Sequence, residues 1–383
     1  MRVSFLTHTV FHYRQEFHER VRTLLAADGI EYEVIYGQPD RNEAKKADSV
    51  ELSFGRRIRN RYSYVQQPPL VYQPAMRRLM TADLAIIIQE NRLLVNYALQ
   101  SLPRRLRPKI ALFGHGRNFQ SRSPEGRSES WKKRWASKCD WWFGYTEETR
   151  RHVESLGFPP DRITVFNNAI DTTMLRELAS QASEVRLEER RRELDLSGGN
   201  VGIYVGGLYS DKRLSFLVGA AERVRDRVPD FELLIIGAGP SEPELRALAE
   251  TRPWIKLAGA RFGADKVELM SLGKLFLMPG LLGLAILDAG VLGLPMVTTA
   301  FPWHSPEIAY LEEGVNGLKV LDWENAQTYA DAVTGLLLDP PALDRMAHAA
   351  RDKAACYTIE AMAERFAGGV RQALARPRRE DIA

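Results

Sequence analysis

Short apolar runs alternate with longer amphipathic stretches along the whole chain. Residues 3–6, 32–36, 84–88, 110–113, 141–145 and 163–166 read as strands in the first half, and 201–205, 233–236, 255–257, 275–278 and 296–299 in the second. Runs of this length, bounded by turn formers, suit strands buried on both faces. Helical patterns fall between them, as over residues 14–27, so each half should form a mostly parallel α/β sheet. Residues 37–62 are polar and charged and read as a long surface excursion, a kind of segment that is usually functional or mobile. The stretch 325–375 is almost wholly helical, and 376–383 reads as a polar, mobile tail.

A chain of 383 residues suits two domains rather than one. The charged, helical stretch 174–200 divides the two series of strands. The pattern therefore predicts an N-terminal domain over 1–173, a linker over 174–200, a second domain over 201–355, and a final segment over 356–383. Two open α/β sheets leave a cleft between them, and ligands in such folds bind at the carboxyl ends of strands.

Those strand ends carry the candidate chemistry. The stretch 274–299, KLFLMPGLLGLAILDAGVLGLPMVTT, reads as strand, glycine turn, helix and strand. Gly280, Gly283 and Leu284 form a turn whose backbone N–H groups could approach an anion closely. Asp288, two turns into the helix, could accept hydrogen bonds from ligand hydroxyls. A phosphate on the turn and a sugar diol on the carboxylate together describe a nucleotide. Gly206-Gly207, with Lys212 and Arg213 at the next helix start, make a second anion site. Gly237-Ala238-Gly239-Pro240 could be part of a dinucleotide fingerprint. The acid expected about 20 residues further on has no candidate, which excludes a dehydrogenase. A flat base could rest near Arg261. In Trp303-His304-Ser305, Ser305 reads as an N-cap with Pro306 at the first helical position, and His304 could face the cleft.

In the first half, His115 stands between two glycines at a strand end, where it could donate a hydrogen bond or carry a proton. His8, His12, Tyr13 and Arg14 follow the first strand and could line the same cleft. Each of these features also has a plain structural reading, as a turn glycine, a surface lysine or a loop histidine.

Charge separates the halves. Residues 1–175 hold 28 Lys and Arg against 19 Asp and Glu, and residues 176–383 hold 25 against 30. The basic half interleaves aromatics, as in Trp131-Lys132-Lys133-Arg134-Trp135, which suits an anionic partner or a membrane interface as well as a solvated face. No apolar run approaches the roughly 20 residues of a membrane span. The N-terminus reads as a first strand, not a signal peptide. Cys139 and Cys356 give neither a disulfide framework nor a metal spacing, so a cytoplasmic setting is expected.

In order and spacing, these motifs resemble those of retaining GT-B glycosyltransferases of the family 4 group, which act in lipopolysaccharide, exopolysaccharide and glycolipid synthesis. Asn168-Ala169-Ile170-Asp171 is similar to that family's Asn-Gly-Val-Asp. Val205-Gly206-Gly207-Leu208 with Lys212 is similar to Val-Gly-Arg-Leu…Lys, and Gly237-Ala238-Gly239-Pro240 to Gly-Asp-Gly-Pro. Asp288-Ala289…Gly293-Leu294-Pro295 is similar to the end of its paired-acid motif. The resemblance implies two Rossmann-like domains facing across a cleft, with a C-terminal helix crossing back to the N-terminal domain.

It also implies roles. Lys212 would bind the donor diphosphate and, with His115, serve catalysis. Asp288 would hold the ribose hydroxyls. Gly206, Gly207, Arg213, Gly239, Arg261, Gly280, Gly283 and Leu284 would surround the donor, and His12, Tyr13 and Arg14 would stand on the acceptor side. Two positions depart from the family. Its first glutamate, which contacts the transferred sugar, is Gly280 here, and its phosphate-binding arginine falls at Gly207.

The expected reaction moves a sugar from a nucleotide-diphosphate donor to a hydroxyl of a saccharide or lipid-linked acceptor, with retention. The expected partners are that donor, that acceptor and a peripheral contact with the anionic inner face of the membrane. No Asp-x-Asp occurs, so neither a metal nor a cofactor is expected. A non-catalytic partner subunit of the same fold and a sugar-nucleotide epimerase are the alternatives. A nucleic-acid binder would explain the basic half but leave the strand-end motifs unexplained.

Overall fold

The structure, a computed structural model, describes residues 1–46, 49–118 and 126–379. Of the polar tail, residues 380–383 lie outside the described residues. The chain forms two compact units, Met1–Ile170 with Ile359–Ala383, and Asp171–Thr358.

The first unit carries β1 (Arg2–Leu6), β2 (Glu31–Tyr36), β3 (Arg56–Arg57), β4 (Arg61–Ser63), β5 (Leu70–Tyr72), β6 (Leu84–Ile88), β7 (Lys109–Gly114), β8 (Trp141–Gly144) and β9 (Ile163–Val165). Seven of these form one parallel sheet in the order β3-β2-β1-β6-β7-β8-β9. The apolar runs are buried on both faces, as helix-covered parallel strands require. β4 and β5 make a separate antiparallel hairpin that begins at the end of the 37–62 excursion and runs beyond it. They are three residues each and only Val71 among them is buried, so they leave little apolar signal.

The helix Ile359–Ala375 belongs to this first unit. Its Phe366 is fully buried against the rings of Phe17, Phe143 and Phe166, with ring centroids 5.2, 4.4 and 6.2 Å away. Gly369 lets the helix sit close to the sheet: a Cβ there would lie 2.3 Å from Thr164 Oγ1. Burying one such phenylalanine contributes roughly 1.5–3 kcal/mol.

The second unit carries β10 (Asn200–Val205), β11 (Phe231–Ile236), β12 (Ile255–Gly259), β13 (Leu275–Met278), β14 (Met296–Thr299) and β15 (Gly317–Val320). They form a parallel sheet in the order β12-β11-β10-β13-β14-β15. β15 is an edge strand with two half-buried residues and has no counterpart among the runs read from the sequence. Residues 174–200, expected as a linker, carry two helices of this unit, Thr172–Gln181 and Glu184–Glu193. Asp171 caps the first by accepting from Thr173 N and Met174 N. The second is tied down by Arg186 and Arg190 on the buried Glu268 carboxylate, at 2.5 and 2.9 Å.

Both sheets reverse their strand order once, the first between β1 and β6 and the second between β10 and β13. Such a reversal opens a crevice at the carboxyl ends of the two strands.

Candidate active site

At the reversal in the second unit, the turn after β10 meets the turn after β13. Gly206 N donates to Ile236 O at 3.0 Å, and the Tyr204 hydroxyl donates to Gly207 O at 2.8 Å. Lys212 closes a short turn, Ser210–Lys212, and is 8 % exposed. Its ammonium donates to Leu281 O at 2.5 Å, and burial pushes its pKa down to about 8. The charge of the adjacent Asp211 only partly offsets that burial, and the ammonium is held at the turn by a neutral carbonyl.

The turn 280–284 is fixed from the other side by His304. Leu282 N donates to His304 Nδ1 at 3.0 Å, and His304 Nε2 donates to Thr299 O at 2.8 Å. Both ring nitrogens are committed, one as acceptor and one as donor, so the ring is neutral with its proton on Nε2. Burial holds its pKa at about 4. His304 therefore positions the turn. Ser305 stands at the N-cap position but its side chain makes no capping bond.

Asp288 lies in the first turn of the helix Ala285–Val291 behind this turn, not two turns in, because the helix starts only at Ala285. Its Oδ2 accepts from Lys266 Nζ at 3.1 Å, and its Oδ1 is buried with no partner. A buried carboxylate oxygen left without a donor is costly, and a ligand hydroxyl would satisfy it.

The glycines divide into two kinds. A Cβ at Gly280 would lie 2.2 Å from Asp211 O, and one at Gly239 2.4 Å from Leu208 O. At both positions the absent side chain makes room for the protein's own backbone. At Gly283 a Cβ would meet nothing closer than Ser305 at 3.7 Å, so no internal packing demands glycine there. Leu284, next to it, is the N-cap of the helix that carries Asp288.

Arg213, expected on the donor diphosphate, has its guanidinium engaged elsewhere. It donates to Trp323 O at 2.5 Å and stacks over Phe216 and Trp323 at 4.0 and 4.7 Å. Arg261 donates to Ala258 O at 3.0 Å, beside a Phe262 that is 81 % exposed.

In the first unit, Tyr145 gathers two of the expected residues. His115 stacks on it at 3.9 Å, and the buried Arg14 guanidinium lies 5.4 Å from the same ring. Burial, with Lys132 and Arg14 adding to it, lowers the His115 pKa to about 3. Arg14 also reaches Met362 Sδ at 3.7 Å, and Tyr13 stands beside it, exposed along with His12.

What the sequence reading missed lies at the other reversal, between β1 and β6. Arg92 is buried there among Glu90, Asp40 and Glu43, with N–O distances of 2.7, 3.3 and 2.8 Å. His8 Nε2 lies 2.9 Å from Arg92 Nη2 and 3.1 Å from Glu43 Oε1. Burial alone would raise the Glu43 pKa, but His8 and Arg92 outweigh it and hold the carboxyl far below the usual range. Beyond His8, already a candidate for the cleft, the sequence signal was the polar run Gln89-Glu90-Asn91-Arg92 directly after an apolar strand.

Two parallel α/β units, a returning C-terminal helix and strand-end turns of this kind define the GT-B class of glycosyltransferase. Residues 199–339 match the family described as glycosyl transferases group 1, and residues 19–174 match glycosyltransferase family 4. Together with the fold, these matches support a GT-B glycosyltransferase. The chain is 30 % identical over 206 residues to an alpha-D-kanosaminyltransferase of Streptomyces kanamyceticus, a match covering 50 % of each chain. It is 28 % identical over 236 residues to a D-inositol 3-phosphate glycosyltransferase of Corynebacterium aurimucosum, covering 57 % of this chain and 53 % of that one. The chain thus spans about half the length of these relatives. Among solved structures, Alr3699/HepE of Anabaena in complex with UDP superposes over 97 % of this chain and 100 % of its own, with TM-score 0.69 and 16 % identity. WaaG, a glycosyltransferase involved in lipopolysaccharide biosynthesis, gives TM-score 0.65 over 95 % and 98 %. Among the described residues no helix is long and apolar enough to cross a membrane.

Proposed function

We propose that the protein is a retaining glycosyltransferase that moves a sugar from a nucleotide-diphosphate donor to a hydroxyl acceptor, in the synthesis of a cell-surface polysaccharide, lipopolysaccharide or glycolipid. One observation carries the reading. At a single sheet edge a buried lysine, a turn pinned by His304 and a carboxylate with an unused buried oxygen stand together. Lys212 supplies positive charge to the diphosphate, the open position at Gly283 admits the donor, and Asp288 Oδ1 accepts from a ribose hydroxyl. In the reaction the bond from the anomeric carbon to the diphosphate oxygen breaks, the acceptor oxygen bonds to that carbon on the same face, and the departing phosphate takes the acceptor's proton. The protein's work is positioning and charge stabilisation. Lys212 carries that charge without a metal, so chelators leave turnover unchanged. The UDP held by the HepE neighbour makes UDP the first nucleotide to try. The name of the Corynebacterium relative supports an inositol-phosphate acceptor as much as a lipid-linked one.

The test is thermal stability of the wild type and Asp288→Asn with UDP, GDP, ADP and their common sugars. A nucleotide at a hundred times its dissociation constant adds roughly 2.7 kcal/mol. Stabilisation by one base family, lost in Asp288→Asn, supports the donor site. No response to any nucleotide favours the second reading, a non-catalytic partner subunit. The backbone contact at Gly280 motivates that reading, since it leaves no room for the acid the family carries there.

A further inference from the structure

The first unit has a second concentration of charge, at the edge opposite His8 and His115. A pocket of about 430 Å³ opens at the amino-terminal ends of β1, β6 and β7, where Asp83 precedes β6 and Lys109 opens β7. Arg105, Arg107, Lys109 and Arg378 line it, and Asp83 is the one acid among the lining residues.

Two of these cations are fixed by neutral groups. Lys109 Nζ donates to the carbonyls of Ala373, Leu374 and Arg376 at 3.1, 2.6 and 2.5 Å, closing the end of the helix Ile359–Ala375. Arg378 donates to the carbonyls of Arg104, Arg107 and Pro108 at 2.8, 2.6 and 3.2 Å. Such bonds orient the side chains and leave their charge standing. Asp83 is occupied by Arg2 N at 2.7 Å, and the nearby Asp140 by Ile110 N and Arg379 N at 2.9 and 3.1 Å.

Arg107 is the decisive member. It is 5 % exposed, and its Nε and Nη1 are buried with no hydrogen-bond partner. Burial lowers its pKa, and the attraction of Asp140 does not make up the difference. An ionised guanidinium buried without an acceptor is destabilising unless a counter-charge offsets it. A planar, forked donor among further cations matches the oxygens of a phosphate.

We propose that this pocket binds a phosphate-bearing anion, through Arg107 with Arg105, Lys109 and Arg378 around it. The ligand would neutralise the cluster and fasten the segment that follows the returning helix, so its binding stabilises the first unit. The phosphate could come from a soluble ion or from a lipid headgroup, for which the exposed Leu106 and Met80 at the rim offer apolar contact.

The test uses the full chain at constant ionic strength, with inorganic phosphate and with chloride as control. Phosphate at saturation should raise the melting temperature of the wild type by roughly 5 °C. Arg107→Met, which replaces an unpaired buried charge by an apolar chain of similar length, should fold and lose the shift. Arg105→Ala, at an exposed position, should weaken it and decides the matter should Arg107→Met fold poorly. A second arm sediments the protein with vesicles of phosphatidylglycerol or phosphatidylcholine. Phosphatidylglycerol binding that disappears in both variants, without a response to free phosphate, identifies a lipid headgroup as the source. A phosphate shift or vesicle binding that survives both variants belongs to another surface and overturns the proposal. So does the absence of any response to either probe.

Discussion

The two strand-order reversals are built from opposite materials. Between β10 and β13 the second unit places backbone: glycine turns, one lysine on a carbonyl and one neutral histidine bridging two backbone groups. Between β1 and β6 the first unit places side chains, with one guanidinium held among three carboxylates and a histidine. A backbone-built crevice has a fixed shape and few charges to neutralise, which suits recognition of one constant chemical group. A crevice filled by an ion network is tuned residue by residue, which suits a variable partner.

That contrast can be broken first at Arg92. Arg92→Leu removes the one arginine from among Asp40, Glu43 and Glu90, leaving Glu43 to His8 alone among side chains, and should cost about 3–5 kcal/mol. Urea unfolding should show the loss in the first unit's transition and leave the second unit's in place. A loss below about 1 kcal/mol would mean the network is not what holds that edge.

Acid should separate the units next. His18 and His115 are held at about 3 and His152 at about 4 in the first unit, each chiefly by burial, against His304 at about 4 in the second. All four are lowered from the unfolded value near 6.5, so the neutral ring is favoured in the folded state. Their contribution is complete above pH 6.5 and is lost as pH falls toward 4. Each costs at most about 1.4 kcal/mol per pH unit in that window. Calorimetry between pH 7 and pH 5 should find the first unit destabilised more than the second. Equal losses would contradict the assignment.

Gly280→Ala sharpens the other side. Its Cβ would press on the backbone of Asp211 and Lys212, and overpacking of this kind costs about 1–3 kcal/mol. Gly280→Glu, which restores the family's acid, should fare no better in denaturation and should not enhance nucleotide binding. Tighter binding by the glutamate variant would show that the turn can open.

The smallest effect has the opposite sign. Lys212 has a folded pKa of about 8, below the usual 10.5 of a lysine. Burial thus disfavours its charged form, and at pH 7 that charge weighs against folding. Lys212→Met should leave stability unchanged or raise it by up to ~2 kcal/mol while abolishing any response to nucleotides. A clear loss of stability would make the lysine a structural residue.

The same contrast explains what could be read from the chain alone. The second unit's motifs are local, each one turn following one strand, so their order along the sequence exposed both the fold and the candidate donor edge. The ion network at the first unit's reversal joins His8 to Arg92 across 84 positions, and no pattern along the chain links them. Glycines are ambiguous in another way. Gly239 and Gly280 read as room kept for a ligand, and the structure fills that room with the backbone of Leu208 and Asp211. Arg213 looked free for a phosphate because its aromatic partner Trp323 lies 110 residues away. β15 escaped notice because an edge strand of four residues, half of them only partly buried, carries too little apolar pattern.

The returning helix Ile359–Ala375 sets an order of assembly on the ribosome. The first unit's sheet leaves the exit tunnel early, yet Phe366 and its neighbours arrive only after the whole second unit has been made. At 5–20 residues per second, the about 190 residues between them take on the order of 10 s or more. The second unit, continuous in the chain, can close while translation proceeds. The half that is made first is therefore the half completed last, and for those seconds its sheet lacks the helix that covers it.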